Sequence, residues 1–445
     1  MIPTNKSYLQ FLKTKKTLPV TVNVITLGCS KNLVDSEVMM KQLDAANFKV
    51  SHDSSEPHDI VIINTCGFIN DAKQESIDTI LNVVAAKKAG TVKKVIVTGC
   101  LSARYYEELK KEIPEVDAYF GVNDLKKILL SLDADYKKEL LGERHLTTPQ
   151  HYAYLKIAEG CDRKCSFCAI PLIRGKHISK PIKEIINEAS LLAEQGVKEL
   201  VLIAQDLTYY GLDIYKKRKL ASLLEKLSDI KNIEWIRLQY AYPAAFPMDV
   251  LKVIREHDNI CNYLDIPFQH ISDKLLKSMN RTIDKKGTLK LIERIKKEVP
   301  GIALRTSLIV GYPGETEKDF NELMNFVSDV KFDRLGVFTY SHEESTKAFK
   351  LKDNVSAKIK QQRVDALMQL QQDISFEKNK ALIGKTLKVS IDRKENDYLV
   401  GRTEYDSPEV DNEVLIKTKA KINLIGQFCN VKITSAEAFD LFGEV

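Results

Sequence analysis

The sequence predicts an α/β protein in three parts. These are an N-terminal parallel-sheet α/β domain over residues 20–136, a partial (β/α)6 barrel over 147–376 and a small all-β C-terminal barrel over 379–445. Three observations predict it. β-Branched apolar runs alternate with polar helical patterns at the start of the chain. The same alternation then recurs six times. From about Ile383 onward the helical pattern disappears. A chain of 445 residues is also too long for one ordinary core.

In the first part VNVITLGC, DIVIINTC and KVIVTGC are apolar on both alternations, as strands buried on both faces of a parallel sheet are. Each is followed by a helix-compatible stretch such as SKNLVDSEVMMKQLDAAN. In the second part the candidate strands are YAYLKIA, ELVLIAQ, IEWIRLQ, YLDIPF, ALRTSLIV and RLGVFTY. Helical segments including PIKEIINEASLLAEQG, AAFPMDVLKVIREH and GTLKLIERIKKEV lie between them. Six such units suit a barrel of six strands in place of eight. The segment SAKIKQQRVDALMQLQQDISFEKNKAL is a long helix leading out of the barrel. The last part reads as short alternating strands, TLKVSID, DYLVG, NEVLIK, FCNVKIT and AFDLFG, which close most economically as a small barrel.

Composition is that of a globular protein, 44% hydrophobic and 29% charged. The basic segment MIPTNKSYLQFLKTKKTLP lacks the apolar core of a signal peptide, and no apolar run approaches the ~18 residues of a membrane span. Both point to the cytoplasm, where thiols stay reduced, so the eight cysteines are read as ligands, catalytic groups or packing and not as disulfides. A net charge of +6 is mild for this length.

Cys161, Cys165 and Cys168, in EGCDRKCSFCAIP, have the spacing to hold three corners of a cubane iron–sulfur cluster. No fourth cysteine is nearby, which leaves one iron open to a small molecule. Zinc with His177 as fourth ligand is the competing reading, but structural zinc takes paired C-x2-C units. Phe167 covers the cluster or simply packs. The loop follows the first barrel strand, at the mouth where such barrels do chemistry.

Cys29, Cys66 and Cys100 each end a predicted parallel strand, just before a helix. Ligand sites gather along that edge, and a helix N-terminus favours the thiolate. Buried packing is the alternative for each one singly. Asn32, Asp35 and Glu37 read as helix-capping and first-turn residues.

The C-x3-C-x2-C loop, with its aromatic, resembles that of the radical S-adenosylmethionine superfamily. Two three-cysteine sets before a small barrel extend the resemblance, from about residue 21 to 441, to the methylthiotransferases, whose C-terminal barrel is a TRAM domain. The resemblance implies two 4Fe-4S clusters, one held by Cys29, Cys66 and Cys100 and one by Cys161, Cys165 and Cys168. It further implies that the open iron of the second chelates S-adenosylmethionine, that an electron donor triggers release of a 5′-deoxyadenosyl radical, and that a second S-adenosylmethionine supplies the methyl group. The superfamily's Gly-Gly-Glu is replaced here by Ala204, Gln205 and Asp206, leaving Gln205 or Asp206 to hold the methionyl amine. Gln239, Asp265, Gln269, Arg305 and Ser307 are further candidates for the mouth. Arg305 interrupts an apolar run, where it meets a cofactor or substrate carboxylate or forms an internal ion pair. GYPGET is a turn by composition.

The words LGCSKNLVDSE, NTCGFINDAKQES, VTGCLSARY, YLDIPFQHISDKLLKSMNR and LRTSLIVGYPGETE look like the branch that methylthiolates the β-carbon of an aspartate in small-subunit ribosomal protein S-twelve. Ser30 stands where that branch usually has proline. Charge is a separate consideration. Residues 381–445 carry nine Lys or Arg and eleven Asp or Glu, and Glu404, Asp406, Glu409, Asp411 and Glu413 form an acidic stripe. Such a barrel suits a basic protein partner and not direct nucleic-acid readout. The alternatives are tRNA adenosine methylthiolation and a non-catalytic iron–sulfur protein docked on ribosomes.

Overall fold

The computed structural model describes residues 19–417 and 424–445. The basic N-terminal segment before residue 19, and Lys419 and Lys421 of the charge count, lie outside the described residues. The first sheet is built from β1 (Thr21–Thr26), β2 (Lys49–His52), β3 (Ile60–Thr65), β4 (Lys94–Gly99) and β5 (Ala118–Tyr119). All its pairings are parallel, in the order β2-β1-β3-β4-β5. The three central strands end nearly level, with Thr26 opposite Asn64 and Thr65 opposite Gly99. That register brings the loops after β1, β3 and β4 to one edge.

The second sheet is the predicted partial barrel. Its strands are β6 (Tyr152–Lys156), then, after a short antiparallel pair β7 (Ala158–Glu159) and β8 (Ile178–Ser179), β9 (Glu199–Ile203), β10 (Trp235–Leu238), β11 (Ile260–Asp265), β12 (Ala303–Val310) and β13 (Arg334–Thr339). The order β13-β12-β11-β10-β9-β6 is parallel throughout. Alternate residues such as Leu155, Leu200, Leu202, Ile236, Leu238 and Leu264 face the helices in the largest core cluster. The other alternation forms the concave face and is mixed: Tyr152, Tyr154, Val201 and Ile203 at one end, Trp235, Cys261 and Tyr263 further along. The helix Ala357–Lys380 leads out of the barrel. A closed barrel follows, of β14 (Thr386–Glu395), β15 (Tyr398–Thr403), β16 (Glu413–Lys417), β17 (Phe428–Ala436) and β18 (Asp440–Glu444). Its core is Val389, Ile391, Val414, Ile416 and Val431 with their neighbours.

The acidic stripe is not a free docking face. Four of its five carboxylates reach the cations, phenols and backbone on the concave side of the partial barrel. Asp406 accepts from Arg334 Nε at 2.8 Å, and Asp411 accepts from Tyr263 at 2.8 Å and from Arg305 Nε at 3.2 Å. Glu409 accepts from Tyr152 and Tyr154, both at 3.1 Å, and Glu404 from the Asn262 backbone at 3.0 Å. Glu413 instead pairs with Arg393 on the half-exposed surface of the small barrel. Asp406 and Asp411 are buried and need such partners, and Glu404 and Glu409 also bond the partial barrel, so most of the stripe is engaged within the chain and is weak support for a basic partner.

Candidate functional site

At the edge of the first sheet the three cysteines are drawn together by close backbone packing. Gly28 takes φ +91°, and a Cβ there would lie 2.8 Å from Cys66 Sγ. Gly67 is packed equally tightly on Cys100 and Leu101. Cys29 is exposed and precedes the helix Ser30–Ala45, whereas Cys66 and Cys100 are buried. Burial pushes the Cys66 thiol up and the Cys100 thiol up to about 12.

Asn32 does not cap that helix. Its Nδ2 donates to the Leu27 carbonyl at 2.8 Å and the Thr65 carbonyl at 3.1 Å, tying two of the cysteine loops together. Its Oδ1 lies 3.7 Å from Cys100 Sγ and accepts from Arg174 Nη2 at 2.5 Å. Asp35 faces Arg174 at 3.2 Å and Lys156, and Glu37 accepts from Thr147 N–H at 2.9 Å. The capping reading fails for all three because they face the partial barrel and the segment leading into it, a surface with no local sequence signal.

Cys161, Cys165 and Cys168 sit on the loop closed at its base by β7 and β8, at the mouth of the partial barrel. The Arg163 backbone N–H donates to Cys161 Sγ and Arg281 Nη1 to Cys165 Sγ, each at 3.4 Å. The guanidinium groups of Arg163 and Arg281 lie 4.0 and 4.2 Å from the ring centre of Tyr242. Burial pushes Cys161 up to about 11 and Cys168 up to about 12. Phe167 packs with Tyr312, Tyr340 and Met279.

All six cysteines are free thiols. Among the described residues no three His, Cys, Asp or Glu side chains are gathered tightly enough for one metal ion. His177, the zinc alternative, has its Nε2 3.0 Å from the Ser179 hydroxyl. A cluster distributes its protein ligands over separate irons, so two triplets of thiols without a fourth partner fit that group.

Gln205 donates from Nε2 to Glu159 Oε1 at 2.9 Å, and its Oε1 is buried without a partner among the described residues. Such an orphaned acceptor suits an ammonium. Asp206 is already committed: Oδ1 caps the turn Leu207–Tyr209 by accepting from Thr208 N–H at 2.8 Å, and Oδ2 accepts from Arg163 at 2.8 Å. Arg305 takes the internal ion pair, with Asp265 at 3.4 Å and Asp411 at 3.2 Å. Gln239 bonds Ser407. Gln269 takes φ +72° and its carbonyl accepts from Ile309 N–H at 2.8 Å, a backbone link to β12, where Ser307 also lies. Residues that the structure places beside the triplets or between them, and that the sequence reading did not single out, are Lys156, Glu159, Arg163, Arg174, Tyr242 and Arg281. Lys156 and Glu159 carried a signal, as charges at the end of an apolar strand.

The two triplets face one interface. The turn Ile170–Ile173, just after Cys168, packs through Ala169 and Ile173 on Cys100. Arg174 follows and reaches Asn32 on one side and Glu159 on the other, at 2.8 and 2.9 Å. Further along, Arg104 and Lys73 of the first domain pair with Glu343 at 2.7 and 3.0 Å.

Three family profiles match: the uncharacterized protein family UPF0004 over residues 21–121, the radical SAM superfamily over 155–327 and the TRAM domain over 383–445. The chain is 56% identical over 435 residues to a protein of Cytophaga hutchinsonii named ribosomal protein uS12 methylthiotransferase RimO, covering 98% of this chain and all of that one. It is 57% identical to the protein of the same name from Christiangramia forsetii, over 97% of this chain and 96% of that one. Among solved structures it is similar to the radical S-adenosylmethionine methyltransferase TsrM of Kitasatospora setae. The TM-score is 0.52 at 13% identity over 72% of this chain and 75% of that one, a likeness of fold.

Proposed function

The chain belongs to the ribosomal protein uS12 methylthiotransferase family, and we propose that it places a methylthio group on the β-carbon of an aspartate of ribosomal protein uS12, giving 3-methylthioaspartate. S-adenosylmethionine serves as both radical source and methyl donor. The observation that supports this most is that two cysteine triplets, 61 residues apart at their closest, meet across one interface while each keeps three free thiols.

Cys29, Cys66 and Cys100 would hold the first 4Fe-4S cluster and Cys161, Cys165 and Cys168 the second. When bound there, the second cluster would supply the one-electron reduction of S-adenosylmethionine on which hydrogen abstraction from an unactivated carbon depends. The chain's own residues do the rest. Gln205, fixed by Glu159, offers its free carbonyl oxygen to the methionyl ammonium. The Arg163 backbone N–H and the Arg281 guanidinium donate to sulfurs of the second triplet, and the two guanidinium groups stack on Tyr242 beside it. Asp206 acts by holding Arg163, and Arg305 by docking the C-terminal barrel. The tRNA reading is not favoured, since relatives at 55–57% identity carry the ribosomal-protein name. No helix among the described residues is long and apolar enough to cross a membrane, and we place the enzyme in the cytoplasm with its substrate.

Mass spectrometry of uS12 and of tRNA from a deletion strain tests the reading. Loss of one methylthio group from uS12, restored by this chain and not by a C161A/C165A/C168A variant, is expected. A normal uS12 beside hypomodified tRNA overturns it.

A further inference from the structure

A continuous polar line runs from the first cysteine triplet to the residue proposed to hold the cofactor's ammonium. Asn32 Oδ1 lies 3.7 Å from Cys100 Sγ and accepts from Arg174 Nη2 at 2.5 Å. Arg174 Nη1 donates to Glu159 Oε1 at 2.8 Å, and Gln205 Nε2 donates to the same oxygen at 2.9 Å. Arg174 is the only member of this line that carries a permanent positive charge, and its side chain is 2% exposed. The carboxylates of Asp35 at 3.2 Å and Glu159 at 2.8 Å face that buried charge.

We propose that Arg174 is a positioning residue that sets the redox potential of the first cluster while fixing Glu159 for the cofactor site. The inference rests on the reading that Cys29, Cys66 and Cys100 hold that cluster. A cluster becomes more negative by one charge when it accepts an electron, and a buried guanidinium stabilises that state. Lysine at 174 keeps the charge and loses the planar fork that spans Asn32 and Glu159, whereas glutamine loses the charge as well.

The test uses the full chain carrying C161A, C165A and C168A, reconstituted anaerobically with iron and sulfide and titrated with dithionite under electron paramagnetic resonance. R174Q is expected to lower the midpoint potential of the remaining cluster, with its iron content unchanged, and R174K to leave it close to the parent. Equal potentials in all three proteins, or equal shifts in both variants, overturn the inference. If R174Q fails to retain iron, E159Q serves instead. It removes a counter-charge from Arg174 and is expected to raise the potential, and no shift there overturns the inference. A parent triple variant without iron overturns the reading of the first site, and with it this inference.

Discussion

The Gln205 carboxamide is held at one end only. Glu159 fixes its nitrogen, and its oxygen is buried and free to accept. Replacing it with leucine removes one hydrogen bond to a charged donor, worth about 1.5–3 kcal/mol. Q205L is therefore expected to weaken S-adenosylmethionine binding by roughly ten- to a hundredfold, with the iron content unchanged. Equilibrium dialysis with reconstituted protein measures this, and unchanged affinity would place the ammonium elsewhere. Spacing and strand ends alone single out the six cysteines as candidates. Arg174 was not legible, because its partner Asn32 lies 142 residues away and nothing local distinguishes it from a solvated arginine. Arg305 was legible as a charge in an apolar run, but its partner Asp411 belongs to another domain.

The element that presents the second triplet is a loop pinned at its base by Ala158 opposite Ser179 and Glu159 opposite Ile178. Gly160, next to Cys161, takes φ +72°, and a Cβ there would run into the Lys176 carbonyl across that base. Gly175 has a similar φ of +75°, but a Cβ there meets nothing within 4 Å. The pair separates backbone strain from steric conflict. G160A is expected to cost upward of about 2 kcal/mol and to open the loop, while G175A costs about 1 kcal/mol of strain. Iron counts on anaerobically prepared protein check it: about eight in the parent and in G175A, falling toward about four in G160A. The strands with apolar runs were readable in all three sheets, whereas the edge strand β2, polar and half-exposed, was not. The two-residue strands β5, β7 and β8 were not, since pairs of that length carry no periodicity and form only because the flanking chain brings them together.

At the scale of the molecule, the C-terminal barrel is locked to the partial barrel by buried charges. Glu199 is paired with Arg237 at 2.7 Å and Arg402 at 2.9 Å, and Arg402 reaches on to Asp392, which bonds His151 at 2.7 Å. D406N takes the anion from the buried Arg334 guanidinium, which keeps its bond to the Asp333 carbonyl, and is expected to cost up to about 3–5 kcal/mol, read as a lower unfolding midpoint. E395Q, at a half-exposed surface pair, should cost less than about 1 kcal/mol. Acid gives the sharper test. Burial works against ionisation of Glu199 and Asp392, but Arg402 and the other partners outweigh it and hold both below their ordinary values. A carboxyl with a depressed native value contributes stability that is present above its unfolded value, about 4, and is lost as pH falls through the native one. The lock should therefore hold at neutral pH and fail only below about pH 4. The single tryptophan reports on it, because Trp235 lies on β10 with its ring edge-on to Phe428 of β17, centroids 4.7 Å apart. Its emission is expected to shift red as the barrels separate in acid. Replacing Arg402 with methionine lets both carboxyls protonate at higher pH and should move that transition upward. A transition that stays where it is in R402M would mean that the shared apolar contacts, and not the charges, hold the two barrels together.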